Sequence, residues 1–437
     1  MLGTIMGPLD GTIANVAMPT LARAFHHSVD DVEWVLLSYL LTLATLLISF
    51  GRVGDLIGRR RVYLSGFAIF GVSSLLCALA PTLWWLVVFR AMQGVGMAMV
   101  QACSSAIITA TFPANERGRA LGINGAAVAA GLALGPILGG AIVTYADWRW
   151  IFLINVPIAI IGILWSMIVI HDTETVEERF DLAGAALAFA ALFALCLALS
   201  RAHLWGWSSF PVLGLLATTL PLTWTFLAVE RRTIEPMLDL TLFEDRTFAM
   251  SVVAAVINFL CQYAIFFTVP LELQRGLGMS PIDAGAALLS LALVITVGAP
   301  IAGAFSDRVS ARYLASLGMI VNAAGAAALL TLPEHPTLPA MVLRLPIIGC
   351  GISLFNQPNN NMIMGHAPRD RLGVASGILS TARTLGMVLG IAVAGAIFFS
   401  VATLPAAAQS PMLPARAVFA AVLVLALANA AISYWRE

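Results

Sequence analysis

The chain has 437 residues, of which 60% are hydrophobic and 11% are charged, and its formal net charge is zero. Soluble globular proteins carry about 25% charged residues, so this composition excludes a chain built of soluble domains. All 23 lysine-or-arginine positions are arginine, which excludes a Walker-type phosphate loop and a lysine Schiff base. No basic patch is dense enough to predict a nucleic-acid partner. The five cysteines lie in apolar runs without the paired spacing of a zinc site or a disulfide framework.

Apolar runs of about 20 residues recur along the whole chain, and each is long enough to cross a bilayer. They predict an all-α polytopic membrane protein with fourteen transmembrane helices. The first run carries Asp10 and continues into the body of the chain, unlike a cleavable signal peptide. The predicted helices, in chain order, are 1–24, 34–52, 62–80, 83–111, 119–145, 149–170, 182–200, 210–229, 247–271, 281–304, 312–332, 338–364, 372–400 and 415–435.

A glycine–aspartate–arginine motif occurs twice, about 250 residues apart, each time between two apolar runs. Two further loops match each other: they start at Pro113 and Pro368, and each reaches a glycine nine residues later. This duplication predicts two pseudo-symmetric six-helix bundles, 1–170 and 247–437, with a loop and two inserted helices at 171–246 between them. The motif consists of Gly51, Asp55, Gly58, Arg59, Arg60 and Arg61 in its first copy and Gly303, Asp307 and Arg312 in its second.

Arginines are concentrated in the loops on the side of the chain that carries residues 59–61. Cytoplasmic loops of membrane proteins are enriched in basic residues, so we predict that this side faces the cytoplasm of the cell or inner membrane. An even number of spans then leaves both termini in the cytoplasm.

Four further patterns lie on predicted helices. They are Leu9–Pro19 around Asp10, Arg90–Gly96 with Gln93, the glycine-rich stretch Gly131–Gly140, and Trp148–Pro157 with Asn155. Together with the duplicated motif, these residues resemble the major facilitator superfamily, specifically its fourteen-helix drug/proton antiporter branch, over essentially the whole length. The resemblance implies that one chain exports small amphipathic compounds in exchange for protons by alternating access. It implies the proton gradient as the driving force, with no cofactor and no metal.

Asp10 is the acidic residue that we place inside the membrane core. Burial disfavours the charged form of a carboxylate, so Asp10 could bind and release protons. The resemblance associates this position with proton coupling and implies that Arg90, facing a wet cavity, modulates the protonation of a carboxylate. The alternatives are a permanent ion pair or a helix cap for Asp10, and a side chain that reaches outward to the interface for Arg90.

The motif at 51–61, which we call the latch, is predicted as a short loop. Its glycines permit close helix approach, Asp55 can cap a helix or pair with an arginine, and its arginines can bind lipid phosphates. The resemblance implies a cytoplasmic gate that forms and breaks during transport, whereas simple topology determination is the alternative. The resemblance also associates the glycine-rich fifth helix, bent by a proline, with exporters. Its residues are Gly131, Gly135, Pro136, Gly139 and Gly140.

The residues that bind substrate are predicted from polar groups inside apolar runs: Asn258, Gln262 and Arg383. Hydrogen bonding between helices explains them equally well. Glu272 is expected at an exposed helix end, paired with Arg275. The predicted membrane core holds one acid against three arginines, which favours a substrate that is neutral, zwitterionic or singly charged, and an anionic one if Arg383 faces the cavity.

Three other classes of function remain as alternatives. An importer or facilitator of a metabolite is disfavoured by the pattern of the fifth helix and by the fourteen-helix prediction. A membrane-embedded enzyme is disfavoured because the chain has neither a His-Glu-x-x-His nor a Gly-x-Ser-x-Gly motif. A receptor or static bundle would not need the latch motif in both halves.

Overall fold

The computed structural model describes residues 2–170, 180–233, 236, 238, 240–273, 278–279, 281–306, 308–405 and 410–436. Every regular secondary-structure element within these ranges is a helix, which confirms the predicted all-α fold. The α-helices are α1 (Leu2–Phe25), α2 (Val29–Ile57), α3 (Arg59–Ala78), α4 (Leu83–Thr111), α5 (Ala114–Tyr145), α6 (Trp150–Leu153), α7 (Asn155–Val169), α8 (Leu182–Trp205), α9 (Phe210–Glu230), α10 (Arg246–Leu271), α11 (Pro281–Ser306), α12 (Ala311–Leu330), α13 (Leu338–His366), α14 (Leu372–Ala402) and α15 (Leu413–Trp435).

Several helices begin at a side chain that caps their first free amide groups, which are otherwise without an intrahelical acceptor. Ser28 Oγ accepts the amide of Asp31 at 3.1 Å before α2. Asp181 and Asp245 accept amides at the starts of α8 and α10. These caps explain why the long apolar runs start as helices at defined residues.

The predicted sixth helix is split into α6 and α7 at Ile154. Pro157 explains the break, because its ring nitrogen cannot donate to the carbonyl of Leu153 and the ring crowds that carbonyl. The split makes Asn155 the first residue of α7. Each predicted helix from the seventh onward therefore corresponds to the next higher label, α8 to α15.

Twelve helical segments of the described chain are long and apolar enough to cross a membrane. Two further long helices, α1 and α5, are not among these twelve, and they pack against each other. The fold is thus that of a polytopic membrane protein, while the count of fourteen spans stays a prediction.

Helix packing between the first and second halves of the chain follows a crossed pattern. In each half, the second long helix packs against the fifth long helix of the other half: α2 contacts α14, and α11 contacts α5. The inserted helices α8 and α9 pack on each other, and α8 also packs on α2 and α14. The crossed pairs surround the centre of the molecule, where the candidate site lies.

Candidate functional site

A cavity of about 490 Å³ lies between the two halves of the described structure. It reaches from Gln101 to Glu33 and Trp207, at the helix ends opposite the latch. Its walls are mainly apolar and aromatic, and its charged lining residues are Glu33, Arg90 and Arg383. Ligand pockets for drug-sized molecules are about 300–1,000 Å³ and have this mixture of apolar walls and few polar groups.

A smaller chamber of about 40 Å³ adjoins the cavity, and Arg383 lines both. Amide side chains dominate its polar lining, and their groups can both donate and accept hydrogen bonds. The amide residues are Asn124, Gln262, Asn356, Gln357 and Asn360.

Asp10 and Arg90 form a buried ion pair beside the cavity. Arg90 Nη1 donates to Asp10 Oδ2 at 2.5 Å, and the two side chains are 0–1% exposed. The other oxygen, Oδ1, accepts Asn155 Nδ2 at 2.7 Å and Gln93 Nε2 at 3.2 Å. Three side-chain donors therefore engage both oxygens of Asp10, and one of the donors is the charged guanidinium of Arg90.

Arg90 is also held by residues of two neighbouring helices, α2 and α6, and by Gln93 of its own helix. Its Nε donates to the carbonyl of Val35 on α2 at 3.1 Å. Its guanidinium lies 4.2 Å from the centre of the Tyr39 ring and 5.7 Å from that of Phe152. Gln93, one turn further along α4, also donates to Ser74 on α3 at 2.7 Å. The pair therefore joins helices α1, α2, α3, α4 and α7 around one charged group.

The glycine-rich helix α5 presents a small-residue stripe to α1 next to Asp10. A methyl group at Gly131 would lie 2.6 Å from the carbonyl oxygen of Ile5, and one at Gly139 would lie 3.1 Å from Cα of Ile13. Gly135 faces Thr12 and Leu9 between them. Glycines at a spacing of four residues permit this backbone contact. By contrast, Gly140 has nothing within 4 Å of such a methyl group.

Position 136 lies within the continuous helix α5, but the side chain of Pro136 is outside the described residues. The predicted bend at this proline therefore stays a prediction.

The latch joins the two halves through Asp55. Oδ1 of Asp55 accepts Arg59 Nη2 at 2.7 Å and the amide of Gly373 at 2.9 Å, while Oδ2 accepts the amide of Val374 at 2.9 Å. Gly373 and Val374 lie in the first turn of α14, whose free amides carry partial positive charge. Asp55 therefore pairs with an arginine of its own half and caps a helix of the other.

Glycines bring the backbones of the two halves into contact at this end. A methyl group at Gly51 would lie 3.3 Å from Cα of Gly377, and Gly51 also touches the carbonyl of Gly373. In the second copy, Gly303 meets Gly118, and its methyl would lie 3.1 Å from Cα of Gly122. The first glycine motif thus packs against α14, and the second packs against α5. These two helices follow the matching loops that start at Pro368 and Pro113. Asp307 lies outside the described residues.

The structure corrects the prediction of a latch loop. Gly51 and Asp55 are in the last turns of α2, Arg59 begins α3, and only Gly58 stands between the two helices. Its φ of 101° is in the region that favours glycine. The predicted lipid contacts also fail for Arg59, which is buried against Asp55, while Arg60 Nη2 donates to the carbonyl of Met167 at 2.9 Å.

The family model of the major facilitator superfamily matches residues 1–243 and 251–437. The chain belongs to the major facilitator superfamily. It is therefore a multi-pass membrane transporter of small molecules rather than an enzyme.

Relatives within the superfamily carry different names. The chain is 36% identical to "Uncharacterized transporter YebQ" of Escherichia coli over 90% of its length and 86% of the relative. It is 33% identical to "Multidrug resistance protein Stp" of Mycobacterium tuberculosis, over 91% and 74%. It is 31% identical to "Riboflavin transporter RibZ" of Clostridioides difficile, over 91% and 86%.

Among solved structures, the chain is similar to the human organic anion transporter MFSD10, with a TM-score of 0.70 and 16% identity. This match covers 99% of the chain and 97% of that protein. At this identity the likeness shows the fold of the superfamily and nothing about the substrate.

Of the three residues predicted to bind substrate, two line the central space and one does not. Gln262 lines the chamber, and Arg383 lines both spaces. Asn258 lines neither and instead donates to Asn356 Oδ1 on α13 at 2.9 Å, which is the interhelical alternative.

The prediction for Glu272 is wrong in one respect. Its side chain is buried, and neither carboxylate oxygen has a hydrogen-bond partner in the described part of the chain. Arg275 lies outside the described residues. Burial and the nearby charge of Glu334 raise the pKa of Glu272 to about 7.

Sequence reasoning did not place the inserted helix α8 at the site. Leu199 and Ser200 of α8, and Trp207 after it, line the large cavity. Arg201 Nη1 donates to Glu33 Oε2 at 2.8 Å and lies 4.4 Å from the centre of the Trp34 ring. An arginine in an otherwise apolar helix was the available signal, since such a residue needs a partner.

Proposed function

We propose that this member of the superfamily exports small amphipathic compounds across the cell membrane in exchange for protons, by alternating access. The observation that carries the proposal is the buried Asp10–Arg90 pair at the wall of a drug-sized cavity. The name of the Mycobacterium tuberculosis relative, a multidrug resistance protein, supports drugs as the class of substrate. We further propose that the latch end faces the cytoplasm, that both termini lie there, and that a single chain driven by the proton gradient suffices.

The proposed coupling depends on competition for the carboxylate of Asp10. A proton that enters from the cavity neutralises the carboxylate, and the hydrogen bond from Arg90 then loses its ionic contribution. Charge-assisted hydrogen bonds are roughly twice as strong as neutral ones, so this change weakens the contact that joins α1 to α4. Because α1 packs on the glycine stripe of α5, a shift of α1 is transmitted to α5 and to its partner α11 in the other half.

The latch supplies the second part of the cycle. In the present conformation α2 and α14 are in backbone contact at the latch end, and the large cavity extends toward the opposite end. Under the proposed orientation this is the outward-facing state. Opening of the latch must break the bonds of Asp55 to α14 before a substrate can enter from the cytoplasm.

The test is efflux of a panel of cationic, neutral and anionic dyes from cells expressing the chain, with and without a protonophore. Export that the protonophore stops, and that Asp10→Asn abolishes, supports the proposal. Asp147→Asn is the matched control, because Asp147 is an exposed carboxylate paired with Arg149 at 3.3 Å. Protonophore-sensitive export that persists in folded Asp10→Asn would refute the role of Asp10.

Removal of one partner of a buried ion pair destabilises a protein by about 3–5 kcal/mol, so Asp10→Asn also needs a folding control. The double variant Asp10→Asn/Arg90→Gln removes both charges and avoids an unpaired guanidinium. Size-exclusion chromatography of both variants separates loss of folding from loss of coupling.

A second candidate is transport of one specific metabolite, which the name of the riboflavin-transporting relative favours. The same cells distinguish the two proposals. Accumulation of labelled riboflavin that a protonophore does not reduce, together with no export of any dye, would favour the metabolite transporter.

A further inference from the structure

The charged groups of the large cavity do not balance. Glu33 is neutralised by Arg201 at 2.8 Å, and Arg90 is neutralised by Asp10 at 2.5 Å. Within the described chain, Arg383 forms neither an ion pair nor a hydrogen bond, and its Nε is buried without a partner. The lining thus carries one uncompensated positive charge, and it belongs to Arg383.

Arg383 occupies a central place on α14. It lines the large cavity and also the amide-lined chamber beside it. Its guanidinium carbon lies 5.3 Å from the centre of the Phe259 ring, which covers it on one side with an apolar surface. Gln262, Gln357 and the other amides of the chamber can donate to an oxyanion that approaches the guanidinium.

An unpaired arginine inside a membrane protein is costly, and such residues mark a pathway or a ligand site. The planar guanidinium presents donors in a fork that fits the two oxygens of a carboxylate or similar anion. The same charge repels a cation, and the acids near the cavity, Asp10 and Glu33, are already paired. The electrostatics therefore favour one anionic group at the position of Arg383.

We propose that the substrate is an amphipathic organic monoanion whose carboxylate-like group binds Arg383 while its apolar body lies in the large cavity. The inference rests on the proposed function in one respect, namely that this cavity is the transport path. The aromatic side chains of Tyr39, Tyr263 and Phe267 line the cavity and provide flat apolar surface for a ring system.

The test uses three probes with one ring: 1-naphthylacetate, its primary amide, and 1-naphthylmethyl-trimethylammonium. Their binding to the full chain in lipid nanodiscs is measured by calorimetry at pH 8. We expect the carboxylate to bind at least tenfold more tightly than the amide, and the ammonium compound to bind most weakly. In Arg383→Gln the carboxylate should lose this preference while the amide binds as before.

Arg344→Gln is the matched control, because Arg344 on α13 donates to the carbonyl of Ala340 in its own helix at 3.1 Å and does not line either space. It should keep the full preference for the carboxylate. The proposal is overturned if the ammonium compound binds most tightly, if all three probes bind equally or none binds, or if folded Arg383→Gln retains the preference.

The binding measurement needs no proton gradient. Failure of the anion site therefore leaves proton-coupled export standing, and a failure of proton coupling in the efflux experiment leaves the anion site standing.

Discussion

Replacement of Asp55 by asparagine tests whether the latch holds the two halves together. The carboxylate accepts hydrogen bonds from Arg59, from the amide of Gly373 and from the amide of Val374. Asparagine has nearly the same shape, but one of its oxygens becomes an amino group that cannot accept a hydrogen bond. The variant also loses the negative charge at the start of α14, where the helix dipole favours an anion.

The bonds that cross between the halves set the size of the effect. A hydrogen bond to a charged group contributes about 1.5–3 kcal/mol and one to a neutral group about 0.5–1.5 kcal/mol. Asparagine loses the bond to one amide of α14 and keeps only a neutral bond to the other, so the total loss amounts to about 3 kcal/mol. These bonds exist only while α2 and α14 are in contact, so the cost falls on the latch-closed state. A change of about 3 kcal/mol corresponds to a roughly 150-fold rise in the population ratio of the open to the closed state.

Spin labels at Arg61→Cys and Val309→Cys report this change, because both positions are exposed at the latch end, one in each half. The native cysteines are replaced first. Pulsed electron resonance should give a short distance in the parent protein and a longer, dominant one in Asp55→Asn. The exposed Asp147→Asn control should retain the short distance. An unchanged distance distribution in folded Asp55→Asn would refute the argument that these bonds keep the latch closed.

Three further changes have expected outcomes. Gly131→Ala should lower the unfolding free energy by about 1–3 kcal/mol and reduce export, because its methyl meets a backbone carbonyl, whereas Gly140→Ala should be neutral or slightly stabilising; equal losses in both would contradict the glycine stripe. Gly58→Ala should cost about 1–3 kcal/mol in denaturant unfolding, because alanine is strained at a φ of 101°. The raised pKa of Glu272 contributes stability that is full below about pH 4.5, its ordinary pKa, and is lost as the pH rises through about 7. The unfolding temperature of the parent protein should therefore fall as the pH rises from about 4.5 to above 7, and Glu272→Gln should remove this fall. The same fall in the variant would show that another group titrates.

The helices were predictable because a bilayer-length apolar run has few other stable structures. The α4 helix, Leu83–Thr111, matches its predicted range, and most other ends agree within a few residues. The latch was not predictable in detail. The polar residues Asp55 and Arg59 favour a loop when only the sequence is considered. They lie in helices because Asp55 accepts hydrogen bonds from Arg59 and from the amides at the start of α14.

The candidate site could not be predicted from the spacing of residues along the sequence, because it is formed by tertiary contacts between helices. Asp10 and Arg90 are 80 positions apart, and their distance depends on how α1 packs against α4. Asn155, at the start of α7, donates to Asp10 from 145 positions away, and this contact depends in the same way on how α7 packs. Asn258 and Gln262, one helical turn apart, have different roles, which depend on the facing helix and not on their own sequence.

The inserted helix α8 makes the wall of the central cavity asymmetric. Two bundles related by a pseudo-twofold axis would line a central space with matching walls. Here Leu199, Ser200 and Trp207 come from a segment without a counterpart in either bundle. Substitutions of these three residues would reshape one side of the cavity only. The part of the wall that has no duplicate therefore gives the cavity an asymmetry that two matching bundles alone would not produce.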